Sequence, residues 1–153
     1  MTPDKFYMSW AQLDSDLRYI VREMATNNYK PELIIGPGRG GYIPGVMLSH
    51  YFNVPFEGFN WQTRDGKIED SSTLRSILSK YPDSNICLID DINDTGKTLL
   101  GIDDLVQQHK SVVTYVTLFD KLSSEFGKVK YTAHEVAPEE ERWIVFPYEE
   151  WWT

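Results

Sequence analysis

Residues 87–98 read Cys-Leu-Ile-Asp-Asp-Ile-Asn-Asp-Thr-Gly-Lys-Thr. A short apolar run stops at two adjacent carboxylates, Asp90 and Asp91. A small polar turn, Asp94 to Thr98, comes next, and helical spacing begins after it. The turn offers backbone N–H groups around Gly96, the hydroxyls of Thr95 and Thr98, and the ammonium of Lys97 at a helix N-terminus, all suited to a phosphate. The carboxylates before it suit sugar hydroxyls or a divalent cation. A surface loop capped at Asp94 or Thr95 would account for the turn but not for the acidic pair, because desolvating adjacent charges at the end of a buried strand is costly. The segment reads as a site for a phosphorylated sugar accompanied by a metal ion.

A second glycine-rich stretch, Gly36-Pro37-Gly38-Arg39-Gly40-Gly41, follows the apolar residues Leu33 to Ile35. Gly36, Gly38 and Gly41 satisfy a dinucleotide-binding spacing, with Glu57 placed like a ribose-binding acid. Pro37, however, removes a backbone donor, and Arg39 and Pro44 have no role in that pattern. An arginine among glycines better suits close approach of backbone and guanidinium to a pyrophosphate. Gly96-Lys97-Thr98 imitates the end of a nucleotide P-loop, but that motif requires a glycine where Asp91 stands, and a carboxylate there repels a triphosphate.

The elements that must position these residues alternate in type. Ser9 and Gln12 form a capping-box signal ahead of helical spacing at Trp10, Leu13, Leu17, Ile20, Val21 and Met24. Leu33–Ile35 predicts a strand, and a helix follows through Val46, Met47, Tyr51 and Phe52. Val54–Trp61 predicts a strand, Leu74 to Tyr81 a helix, and Ile86–Ile89 a strand. Leu99, Ile102, Leu105 and Val106 line one face of a further helix, and Val112–Phe119 and Arg142–Phe146 predict strands. Strands alternating with helices imply an α/β fold, a single domain with a mostly parallel twisted sheet and helices on both faces.

The 153 residues suffice for one domain, expected over 1–153, and 41% hydrophobic content fits a packed globule. A single cysteine excludes a disulfide framework. No apolar stretch is long enough to span a bilayer and the opening residues carry no signal-peptide pattern, so a cytoplasmic location and no membrane partner are expected. A net charge of −8 speaks against nucleic acid as a partner. His50, His109 and His134 show no metal-ligand spacing.

Cys87 to Thr98 resembles the signature of type I phosphoribosyltransferases. The likeness extends to the bacterial xanthine-guanine phosphoribosyltransferases through Phe6-Tyr7-Met8-Ser9-Trp10, Arg39 to Gly45, Thr117-Leu118-Phe119-Asp120-Lys121 and Trp143-Ile144. The resemblance implies that fold, with a small hood from the chain ends, its C-terminal part from about 120 to 153. It also implies transfer of a 5-phosphoribosyl group from 5-phosphoribosyl-1-pyrophosphate to guanine, xanthine or hypoxanthine. Asp94, Thr95, Gly96, Lys97 and Thr98 would wrap the 5′-phosphate. Asp90 and Asp91 would meet the ribose hydroxyls, with Asp91 also serving magnesium. Arg39 and Gly40 would hold the pyrophosphate, in a loop the family often builds around a non-proline cis peptide. Asp94 would handle the proton at the purine N7, Lys121 would donate to the exocyclic oxygen, Trp143 would stack on the base and Ile144 would read its edge. Glu149 or Glu150 stands where the family sometimes places a second metal ligand.

For several of these residues a purely structural role stays open: Lys121 as a loop lysine, Trp143 as a core or interface aromatic, Glu149 and Glu150 as solvated charges. The polar segment 62–72 reads either as a closing lid or as an exposed hairpin. Gly38 departs from the family's serine, Asn93 from its apolar residue, and Asp120 adds a negative charge beside Lys121. A different acceptor base, or a non-catalytic regulator of the same fold that senses phosphoribosyl pyrophosphate, are the alternatives. The aromatic tail, with Tyr148, Trp151 and Trp152, points to a homo-oligomer.

Overall fold

A computed structural model describes residues 4–61, 63–64, 67–68 and 71–153, the two short pairs as backbone. The elements run β1 (Lys5–Tyr7), α1 (Trp10–Thr26), β2 (Leu33–Pro37), α2 (Gly38–Phe52), β3 (Phe56–Phe59), β4 (Thr63–Arg64) and β5 (Lys67–Ile68). They continue with α3 (Ser72–Lys80), β6 (Asn85–Asn93), α4 (Lys97–Val106), β7 (Val112–Lys121), β8 (Val129–Val136) and β9 (Trp143–Val145). Helix α1 starts at the capping box: Ser9 Oγ accepts from Gln12 N at 3.1 Å and Gln12 Oε1 accepts from Ser9 N at 2.8 Å. No helix among the described residues is long and apolar enough to cross a membrane.

The main sheet has the order β3-β2-β6-β7-β8, with every neighbouring pair parallel. Alternation along the strands divides the core in two. Leu33, Ile35, Ile86 and Leu88 face α3 and α4, while Ile34, Cys87 and Ile89 face α1 and α2. Chain order reverses beside β2: β3 lies on one flank, β6, β7 and β8 on the other. The helix that follows β2 covers one face and the helix that follows β6 covers the opposite face. Their N-termini diverge and leave a crevice beyond the carboxyl ends of β2 and β6, the usual ligand position in such sheets.

Three structural details differ from the sequence reading. β6 continues through Asn93, so Asp90 and Asp91 are strand residues. Arg39 and Gly40 lie in the first turn of α2 rather than in a loop, and no cis peptide occurs among the described residues. The segment after 120 is not all hood, because β8 extends the main sheet. The hood is the parallel pair β1–β9, which aligns Lys5 with Trp143 and Phe6 with Ile144. β8 escapes the periodicity reading above, although Val129, Tyr131 and Ala133 alternate as a half-buried strand should. The lid expected over 62–72 lies largely outside the described residues; β4 and β5 within it pair antiparallel.

Parallel strands are ordinarily joined by a dozen or more residues containing a helix. β7 and β8 are joined by residues 122–128 alone. This works because β8 starts beside Tyr115, partway along β7. The chain must return about 20 Å, within the roughly 24 Å reach of an extended strap of that length. Phe126 anchors the strap, buried edge-on against Tyr115 at 4.9 Å between ring centroids. Lys128 pins its far end to Asp103 of α4 at 2.6 Å.

Candidate active site

At the crevice, alternation turns Asp91 toward the face that carries α2, where it meets Gly40. A Cβ added to Gly40 would stand 2.6 Å from Asp91 Oδ2, so only glycine lets the first turn of α2 approach this carboxylate. Pro44, inside α2, has no N–H to give the Gly40 carbonyl four residues back. That carbonyl is left facing Tyr148, whose hydroxyl lies 3.4 Å from it and donates to Asp91 Oδ2 at 3.1 Å. Asp91 N in turn donates to Asp90 Oδ1 at 2.9 Å.

Burial pushes both carboxyls up. For Asp90, desolvation acts first and the Asp91 charge adds to it. Asp91 rises to about 6 through desolvation, tempered by the Tyr148 hydroxyl and raised again by the field of Glu149. Burial, with Asp91 nearby, likewise raises the Tyr148 phenol. Tyr148 is a site residue that the sequence reading assigns only to an interface; nothing local in the sequence marks it, because its partners lie far along the chain.

The turn after β6 forms a cavity of about 230 Å³ lined by Asp90, Asp91, Asp94, Thr95, Gly96 and Thr98, among others. Gly96 caps α4 with φ 93°, a left-handed conformation, and Lys97 N donates to Thr95 Oγ1 at 3.4 Å. The Lys97 and Arg39 side chains are exposed, each in the first turn of its helix. The phosphate-wrapping and ribose-gripping residues predicted from the sequence, Lys97 apart, therefore line one concave pocket.

The base-side residues fall into two groups. Lys121 Nζ contacts Asp94 Oδ1 at 2.6 Å, so the lysine expected at the exocyclic oxygen and the carboxylate expected at N7 form one pair. Trp143 is 58% exposed on β9, while Ile144 lines a separate cavity of about 340 Å³ with Phe6, Phe119, Val136, His134 and Asp16. Glu149 accepts from Phe146 N at 2.8 Å, and Glu150 pairs with Lys5 at 3.4 Å.

The profile of the phosphoribosyl transferase domain matches residues 9–150. The chain belongs to the phosphoribosyl transferase family. Xanthine-guanine phosphoribosyltransferase of Idiomarina loihiensis is 24% identical over 149 residues, covering 95% of this chain and 87% of that protein. Adenine phosphoribosyltransferase of Mycoplasma mobile is 29% identical over 131 residues, covering 78% of this chain and 76% of its own. The crystal structure of purine phosphoribosyltransferase from Pyrococcus horikoshii Ot3 superimposes with a TM-score of 0.73 at 28% identity, covering 96% of this chain and 95% of that one.

The transferase's donor set fits magnesium of a particular kind. Among the described residues no three His, Cys, Asp or Glu side chains gather to hold a metal unaided. The hard oxygens of Asp90 and Asp91 sit at the cavity edge, and magnesium is commonly held by one or two carboxylates with substrate phosphates supplying the rest.

Proposed function

We propose that this phosphoribosyltransferase joins the phosphoribosyl group of 5-phosphoribosyl-1-pyrophosphate to a 6-oxopurine (guanine, xanthine or hypoxanthine) and releases pyrophosphate. The observation that carries the choice of base is the Lys121–Asp94 pair. A 6-oxopurine presents the O6 acceptor and, in the reactive tautomer, an N7–H donor side by side on one edge. An ammonium and a carboxylate 2.6 Å apart match that edge. Adenine presents an amino donor at position 6 and mismatches the lysine.

In this reading the 5′-phosphate rests on the N–H groups and hydroxyls from Thr95 to Thr98, and Asp90 and Asp91 accept from the ribose hydroxyls. Magnesium would be held by Asp91 and the pyrophosphate, and would stabilise the leaving charge. Arg39, exposed in the first turn of α2, would add a guanidinium for the same anion. The purine N9 displaces pyrophosphate from C1 through an oxocarbenium-like transition state while Asp94 accepts the N7 proton. Rate acceleration comes chiefly from positioning and charge.

Incubation with magnesium, phosphoribosyl pyrophosphate and each of guanine, xanthine, hypoxanthine, adenine and uracil is the test, read by nucleotide formed. Turnover restricted to the 6-oxopurines supports the proposal; preference for adenine, or turnover with none, refutes it. Asp94→Asn is expected to lower turnover at least about tenfold, as for an acid–base group.

A further inference from the structure

The sequence departs from its family at two places that the fold brings together. Asn93, in place of an apolar residue, is 1% exposed at the end of β6, and Asp120 lies beside it on β7, in register. Asn93 Nδ2 donates to Asp120 Oδ1 at 2.8 Å and to the Phe126 carbonyl at 3.0 Å. Its Oδ1 accepts from Ser124 Oγ at 2.8 Å. The buried amide thus makes three bonds and reaches both ends of the site.

One end is the base side. Asp120 immediately precedes Lys121 on β7, so alternation sends the two side chains to opposite faces, Asp120 to Asn93 and Lys121 to Asp94. The bond from Asn93 to Asp120 fixes this end of β7, and with it the backbone from which Lys121 reaches Asp94. The other end is the phosphate side. Ser124 Oγ and Phe126 N would each stand 2.6 Å from a Cβ on Gly96, and Glu125 N donates to the Thr95 carbonyl at 3.0 Å. The strap that replaces a crossover helix therefore packs directly behind the phosphate turn, and Asn93 fastens it there.

We infer that Asn93, with Asp120 and Ser124, is a positioning device that keeps Lys121 aimed at the acceptor base and the 95–98 turn shaped for the 5′-phosphate. The inference rests on the transfer reaction proposed above. Neither Asp120 nor Ser124 touches substrate; each acts through a neighbour. Removal of the amide should release both ends at once, whereas removal of one partner should affect one end only.

The test separates Michaelis constants for the two substrates. Asn93→Leu is expected to raise KM for both the base and phosphoribosyl pyrophosphate about tenfold, the loss that follows from an unmade hydrogen bond to a charged partner. Asp120→Ala removes only the partner on β7, and is expected to raise the KM for the base while the KM for phosphoribosyl pyrophosphate stays at its wild-type value. Ser124→Ala is expected to raise only the latter. A general loss of stability would lower kcat or the active fraction and leave this division unmade. If Asn93→Leu does not fold, Ser124→Ala carries the phosphate arm and Asp120→Ala the base arm. In a Lys121→Met background Asp120→Ala should leave the KM for the base unchanged, because Asp120 acts only through Lys121. Equal KM changes for both substrates in Ser124→Ala, or an unchanged KM for the base in Asp120→Ala, overturn the inference. Wild-type protein that fails to turn over any base refutes the reaction instead. Calorimetric binding of ribose 5-phosphate to wild type and Ser124→Ala then still reads the phosphate arm: weaker binding in the variant supports it and equal binding overturns it.

Discussion

Gly40→Ala tests the contact on which the acidic pair depends. The added methyl would lie 2.6 Å from Asp91 Oδ2 and 2.7 Å from its Cγ and Oδ1. Non-bonded carbons and oxygens settle near 3.5 Å, so the carboxylate must retreat by about 1 Å. It cannot do so and keep the 3.1 Å bond from Tyr148. Loss of a bond to a charged group costs about 1.5–3 kcal/mol, while alanine in a helical first turn returns up to about 1 kcal/mol relative to glycine. The net is a destabilisation of about 1–2 kcal/mol, which for a domain of this size lowers the melting temperature by only a few degrees. Activity should respond far more, because a displacement of about 1 Å in a positioning group costs about 100-fold. Thermal melting and kcat/KM, measured on the same preparation, check both halves. A variant that keeps wild-type kcat/KM would refute the reasoning, since Asp91 would then not need its present place. A variant that loses stability as severely as a core truncation would refute it too, since the methyl would then be meeting backbone rather than the end of a side chain.

Gly96→Ala should behave oppositely, with stability falling first. Its φ of 93° disfavours any L side chain by about 1–2 kcal/mol. The Cβ would also meet Phe126 N at 2.6 Å, which overpacks by a further 1–3 kcal/mol or so. An unchanged melting temperature would contradict this. Tyr148→Phe removes the donor to Asp91 without removing the ring, and should raise KM for phosphoribosyl pyrophosphate several-fold while leaving KM for the base alone; the reverse pattern would place Tyr148 on the base side. The hydrogen bond from His134 to Asp16, 2.9 Å, raises the imidazole above its usual range. A raised histidine contributes stability fully below about pH 6.5, and this is lost as pH rises through the folded value. The histidine side chain is 48% exposed, so the contribution is under about 1 kcal/mol. The gap in melting temperature between wild type and Asp16→Asn should therefore be widest near pH 6 and narrow by pH 8.5, and a gap independent of pH would sink the assignment.

What could be read from the sequence follows physical range. The turn between β6 and α4 was legible as a candidate site because its pattern is local: a glycine, two threonines and a lysine within a few residues of a strand end. The capping box at Ser9 and the two-faced core followed from short-period patterns for the same reason. Tyr148 was not legible, because its function depends on the unused carbonyl that Pro44 leaves at Gly40, a relation across more than a hundred residues. Asn93 and Asp120 each looked like a defect when taken singly. Only the register of β6 against β7 turns two departures into one hydrogen bond. β8 went unassigned although Val129, Tyr131 and Ala133 alternate, and the offset of its start along β7 is what lets so short a strap join parallel neighbours.

The acidic pair gives the strongest reason to read the crevice as a site rather than as a consequence of folding. Asp91 is held up to about 6 and Asp90 is raised as well, although the Tyr148 hydroxyl and the backbone amides of Asp91 and Ile92 donate to them. Burial thus disfavours the ionised form of both carboxyls, and a chain optimised only for stability would be better served by amides or apolar residues at both positions. Each feature around the pair makes sense if something else completes it: Gly40 opens room beside Asp91, Pro44 frees a carbonyl for Tyr148, and the 95–98 turn stands at the N-terminus of α4 a few residues on. A sugar phosphate would supply hydroxyl donors to the carboxylates and an anion to the turn in one molecule, and magnesium held by Asp91 together with a pyrophosphate would offset the remaining charge. The energetic debit left in the folded protein and the ligand expected from the family are thus complementary in sign, group by group.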